Sequence, residues 1–318
     1  MIVAPFTQYR FITPILIFVS IALTAVLMLM GMGDEVQLWT NWFIAGLLSA
    51  VIWRIISRFN LQGGSELKAF GISWPILTAG LQFVYCHFPL VDHYAKVLLL
   101  VIVQMCCLSL SMSLWQRRRS PFKCLLLGLF IGLESLVIPQ SILWLLLFIV
   151  VGYYMRCWSM RNTACVLTGA FFAVWVGYCL RFFLNGAAEA DALILAYSVI
   201  LRDESYAPLL ALHLWQYLFM GLTLLLLIIY SLSGFLLGAG QSIRAASSIK
   251  LISVLSLSFV VLLPFDILHF FGNLSVFSLF ISLQLTIHQA NVRSIFHEWW
   301  ILFIILSYTA LCLLPLFY

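Results

Sequence analysis

The sequence predicts an all-α, polytopic integral membrane protein of about eleven transmembrane helices, with the N-terminus inside and the C-terminus outside. Three observations predict it. First, the 318 residues are 64% hydrophobic and 8% charged, with mean hydropathy +1.12, whereas a soluble domain carries about 25% charged residues. So much apolar surface cannot be covered in water, and backbone placed in hydrocarbon must satisfy its own N–H and C=O groups. Second, the apolar runs are ~16–25 residues long and do not alternate, which suits helices crossing ~30 Å of hydrocarbon rather than barrel strands of about ten alternating residues. Third, Lys and Arg fall on alternate connections.

Residues 11–32 follow Arg10 and form the first expected span. The run is longer than a signal-peptide core and lacks a small-residue cleavage site, so it is expected to be retained. Asp34 and Glu35 make an acidic turn. Spans two to four are expected over 38–56, 69–90 (with Pro75 inside) and 95–115, and Gly63-Gly64 makes a flexible link between the first two of these. Residues 121–154 would extend ~51 Å as one helix. Pro139-Gln140-Ser141 interrupts them, which predicts a hairpin of spans five and six, with 139–155 either crossing or re-entering. Span seven covers 163–184. The outer loop 185–208 contains an apolar piece, 190–201, too short to cross and suited to an interfacial or re-entrant helix. Span eight covers 209–237. The stretch 250–288 is again too long for one span and breaks at 264–273, giving short spans nine and ten, with 273–288 crossing or re-entering. Span eleven covers 299–316. No long polar stretch remains, so residues 1–318 are expected to form a single transmembrane helical domain.

Orientation follows from the cations. With the N-terminus inside, thirteen of the sixteen Lys and Arg residues lie on inner connections: Arg10, Arg54, Arg58, Lys68, Arg117, Arg118, Arg119, Lys123, Arg156, Arg161, Arg244, Lys250 and Arg293. Only Lys96, Arg181 and Arg202 lie outside, with seven of the eleven acids. This is the insertion signal itself and points to no nucleic acid. The run Arg117–Arg119 is expected to meet anionic lipid head groups. The expected localisation is a bacterial inner membrane.

Few residues carry chemistry. Glu134 lies inside span five, where a carboxylate costs about 2.5–3.5 kcal/mol on insertion scales. It is a candidate contact for a cation, proton or substrate. Asp266 and His269 share a helix face at i, i+3 and are a candidate acid–His pair, or a turn and cap. Arg181 is a candidate anion contact, opposed by the surrounding acids. Small residues at Gly128, Gly132, Gly234 and Gly238 suit close helix packing, including packing against membrane-protein partners. The eight cysteines form no C-x-x-C, and His87, His213, His288 and His297 have no metal spacing, so no metal and no cofactor is expected.

Ser57-Arg58-Phe59-Asn60-Leu61, the Arg-rich run, Leu126-Leu127-Gly128-Leu129-Phe130-Ile131-Gly132-Leu133-Glu134-Ser135-Leu136, Leu262-Leu263-Pro264-Phe265 and Asn291-Val292-Arg293-Ser294-Ile295-Phe296-His297-Glu298 fall in an order that resembles a bacterial multi-pass inner-membrane family of unknown function. The resemblance implies an envelope location. Residues 128–139, behind a basic inner loop, also resemble a span of the lipid-linked-sugar glycosyltransferases. That likeness implies a catalytic acid in the first outer loop, Asp34 or Glu35, although the loop here is short. The function expected first is a non-enzymatic envelope component, either a scaffold or a lipid-handling subunit. The alternatives are a glycosyltransferase-like enzyme using a polyprenyl-phosphate sugar, and a secondary transporter coupled through Glu134.

Overall fold

The computed structural model describes residues 12–31, 35–59, 61, 66–87, 94–198, 212–237, 241–262, 270–291 and 295–314. Among the described residues there is no strand. Twelve α-helices follow in order: α1 (Ile12–Leu29), α2 (Glu35–Arg58), α3 (Glu66–His87), α4 (Tyr94–Ser113), α5 (Pro121–Ser135), α6 (Trp144–Tyr154), α7 (Met160–Asn185), α8 (Ala187–Ser198), α9 (Leu214–Leu237), α10 (Ile243–Leu262), α11 (Phe270–Asn291) and α12 (Ile295–Leu313). A 3₁₀ turn, Pro139–Leu143, separates α5 from α6. Among the described residues, four helices have the length and apolar composition needed to cross a membrane: α2, α7, α9 and the Ile243–Val261 stretch of α10. Five further apolar stretches, in α1, α4, α6, α11 and α12, are shorter.

Each segment expected to be apolar carries a helix. The Pro139 break is where the proline places it, because Pro139 opens the 3₁₀ turn behind an extended Ile138. The two arms of the hairpin are short. The 15 residues of α5 rise ~22 Å. The 3₁₀ turn and the 11 residues of α6 together rise ~26 Å. The short apolar piece of the loop after α7 is the separate helix α8.

The chain packs as two compact units. Unit 1 takes 1–94, 211–249 and 271–318, and unit 2 takes 95–210 and 250–270. In unit 1, neutral polar side chains tie helix to helix. Gln82 Nε2 donates to Thr24 Oγ1 at 2.6 Å, Tyr308 Oη to Thr223 Oγ1 at 2.9 Å, Gln284 Nε2 to Ser231 Oγ at 2.9 Å and Gln216 Nε2 to the His87 carbonyl at 2.6 Å. Apolar packing distinguishes helix from lipid poorly, so such bonds, worth about 0.6–2 kcal/mol each, select neighbours. Phe83 stacks on Phe219 with ring centroids 3.5 Å apart.

In unit 2, α5 and α7 run parallel at backbone contact. Gly128 faces Val166 and Ala170, Gly132 faces Ala170 and Ala173, and Gly169 faces Leu125 and Leu129, so both chains rise in the same direction. A Cβ on Gly132 would sit 2.6 Å from the Ala170 carbonyl oxygen, and one on Gly128 would run into the Val166 carbonyl. The Gly128 and Gly132 face, which the sequence offers to partner helices, is therefore filled from within the chain. Gly234 is buried in α9, and Gly238 lies outside the described residues.

Helix ends in unit 2 are closed by the chain itself. Pro121 occupies the first position of α5. Ser159 caps α7, its Oγ accepting from Asn162 N at 3.2 Å. Gly186, at φ +92°, ends α7 with its N–H on the Phe182 carbonyl at 3.0 Å. The end of α6 is a Schellman motif: Cys157 N donates to Gly152 O and Arg156 N to Tyr153 O, both at 3.1 Å. Its left-handed residue is Arg156, at φ +51°, where glycine is usual and a side chain costs about 1 kcal/mol.

Because the α5–α7 contact is backbone on backbone, Gly128→Val should cost about 1–3 kcal/mol through overpacking. Thermal unfolding in detergent should show a lowered midpoint, while Gly221→Val in α9, whose Cβ direction is open, should leave it near wild type.

Candidate functional site

One set of polar groups in unit 2, Gln104, Glu134, Ser135, Arg181 and Tyr197, converges at the C-terminal end of α5. Its buried face is Cys124, Leu127, Gly128, Ile131, Gly132, Glu134 and Ser135. The glycines seat α5 on α7, and that seating turns Glu134 inward, toward α4. Glu134 is only 2% exposed. Gln104, buried on α4, donates Nε2 to both carboxylate oxygens at 2.7 Å. A forked bond from an amide to a carboxylate is charge-assisted, stronger than a neutral pair and directional.

One residue further on, the helix end is capped from α7 and α8. The Leu136 N–H bonds back to Gly132 O and Leu133 O at 3.3 Å, and the Val137 and Ile138 N–H groups reach Glu134 O at 3.0 and 2.9 Å. Ser135 Oγ donates to Gly132 O at 2.7 Å. Tyr197 Oη donates to the Ser135 carbonyl at 2.9 Å and lies 3.0 Å from Ser135 Oγ. Half-buried Arg181 donates Nη2 to the Leu136 carbonyl at 3.3 Å. Every carbonyl from Gly132 to Leu136 thus finds a donor, as a helix end away from water requires.

Burial raises the Tyr197 hydroxyl above its ordinary value near 10, against the lowering influence of the Ser135 bond and the Arg181 charge. The phenol is therefore neutral at physiological pH and serves as a donor. A raised value for an acid that charges on deprotonation favours the fold fully below pH 10, and that contribution fades only above it.

The sequence candidates fare differently. Glu134 and Arg181 come to the same helix end, Arg181 bonding the carbonyl of Leu136, two residues after Glu134. Glu35 is the exposed first residue of α2, where a carboxylate favours the helix dipole. Asp34, Asp266 and His269 lie outside the described residues. No group of three His, Cys, Asp or Glu residues able to hold a metal occurs among the described residues. Burial pushes the Cys157 thiol up to about 11, against the lowering influence of a backbone hydrogen bond, so it is no thiolate nucleophile. The residues that sequence reasoning missed are Gln104 and Tyr197. A polar residue inside an apolar run marks Gln104; nothing local marks Tyr197, whose partner is 62 positions away.

This geometry is that of a broken helix in an apolar bundle, with a carboxylate–amide pair and a phenol–guanidinium pair gathered at the break. No family model, curated protein or solved structure matches the chain, so the two likenesses drawn from its motifs rest on the motifs alone.

Glu134 and Gln104 should behave as a unit. Gln104→Leu removes the amide donor from a buried carboxylate and should destabilise by about 1–3 kcal/mol, whereas Glu134→Gln should cost less. The double variant Gln104→Leu/Glu134→Leu should recover much of the loss in a thermal double-mutant cycle. Additive effects of the two leucine substitutions would mean the pair is not coupled.

Proposed function

We propose that the chain is a multi-pass component of a bacterial inner membrane that handles a lipid-like substrate without transforming it, and that the end of α5 is where the substrate's polar part binds. About eleven crossings, an inner N-terminus and an outer C-terminus belong to this reading. The observation that carries it is the Glu134–Gln104 pair at a broken helix. A buried carboxylate is costly in a bilayer and is kept for function, and discontinuous helices are where membrane proteins build binding sites. Support also comes from α7, whose outward side is a ladder of rings: Phe171, Trp175, Tyr178 and Phe182 stack successively at 6.2–6.4 Å. Such a surface suits acyl or other lipid chains.

The same pair favours one second reading, a transporter coupled through Glu134. The two are separable. For lipid handling, wild-type protein extracted in mild detergent should retain lipid by native mass spectrometry, and Glu134→Gln should lose most of it. For coupling, proteoliposomes should show a proton or cation flux that Glu134→Gln abolishes. Wild-type protein that retains no lipid and carries no flux would remove both. The topology is tested by a reporter fused after Tyr318, which should be active outside the cytoplasm.

A further inference from the structure

The opposite end of unit 2, where α4 and α6 finish and α5 and α7 begin, is a second built site. The two connections there are laced together. Gln116 N donates to the Met155 carbonyl at 2.8 Å. Asn162, wholly buried in the first turn of α7, donates Nδ2 to Cys157 O at 2.8 Å and to Arg117 O at 3.3 Å. Ser159 Oγ donates to Arg118 O at 3.1 Å. The surface so formed carries Arg117, Arg118, Arg119, Arg156 and Arg161, all exposed, with Lys123 bonded to Ser113 Oγ at 3.0 Å. No Asp or Glu occurs in 113–123 or 153–163.

Two features set this surface apart from an ordinary charged loop. Its backbone is strained at Gln116 (φ +55°) and Arg156 (φ +51°), both non-glycine residues in the left-handed region. At Arg156 a glycine would complete the Schellman motif without strain, and a cation stands there instead, its guanidinium 5.8 Å from the Trp115 ring centroid. Strain held by surrounding hydrogen bonds is a mark of functional sites. The rim is also aromatic: Phe122 is 70%, Tyr153 72% and Trp158 53% exposed. Cations beside exposed rings match the level of a bilayer where head groups meet chains.

We propose that this surface binds the head group of an anionic phospholipid, its phosphate held by the Arg117–Arg119 loop and Arg156 and its upper chain carbons lying on Phe122, Tyr153 and Trp158. The aromatic rim selects a lipid over a soluble polyanion, which has no apolar part to place there. The inference rests on the chain being embedded in a bilayer and is independent of Glu134.

The test uses the full chain in a neutral detergent, melted with phosphatidylglycerol, with phosphatidylcholine of the same chains, or with sodium phosphate. Phosphatidylglycerol should raise the midpoint by about 5 °C at a hundredfold excess over its Kd, and the other two should not. Arg156→Gly relieves the strained backbone, so it should melt at or above wild type in detergent alone yet lose at least half of the phosphatidylglycerol shift. Arg156→Gln, which keeps the backbone demand without the charge, should show the same loss. Gln116→Gly, which relieves strain without removing charge, should keep the full shift. Equal shifts with phosphatidylcholine, an undiminished shift in both Arg156 variants, or a phosphate-only effect of the same size would each overturn the proposal.

Discussion

Unsatisfied backbone is the constraint on which the rest of this structure depends. In hydrocarbon each helix end exposes N–H or C=O groups that water cannot reach. A chain that breaks a helix inside an apolar bundle must therefore bring its own donors to the break. At the end of α5 those donors are Arg181, delivered by α7, and Tyr197, delivered by α8. At the end of α4 the connection is tied down when Gln116 bonds to Met155. Such capping explains why Ser135, Ser159 and Asn162 stand at helix termini.

The order and approximate extent of the helices were readable because composition and length act locally: a run of ~20 apolar residues between charged connections has one economical conformation in a bilayer. The Pro139 break was readable for the same reason, since proline acts on its own backbone and on the residue before it. What was not readable is long-range. Gln104 looks like any polar residue in an apolar run until α4 lies beside Glu134, and Tyr197 bonds across 62 positions. The glycines at 128 and 132 announced close packing, yet their spacing could not say whether the neighbour was α7 or another protein.

The positive φ at Arg156 could not be read at all. A Schellman end asks for glycine, and a sequence with arginine there argues against the motif on propensity alone. The structure forms it anyway because Met155 and Cys157 are held from outside α6, by Gln116 and Asn162. Local preference is overridden by a hydrogen-bond lattice that spans two connections.

That override links the two ends of unit 2 in one physical argument. The parallel seating of α5 on α7 requires both helices to start at one end and finish at the other. Their N-termini, with positive partial charge, then share the end rich in arginine, and their C-terminal carbonyls share the end where Arg181 and Tyr197 act as donors. The first arrangement, already balanced in helix dipoles because α4 and α6 finish there, gathers exposed arginines that repel one another unless an anion offsets them. The second is self-compensating. The basic end therefore has an electrostatic reason to hold an anion, while the α5 end, with Glu134 already gripped by Gln104, meets its requirement within the chain and leaves selectivity to the shape and polarity around the break.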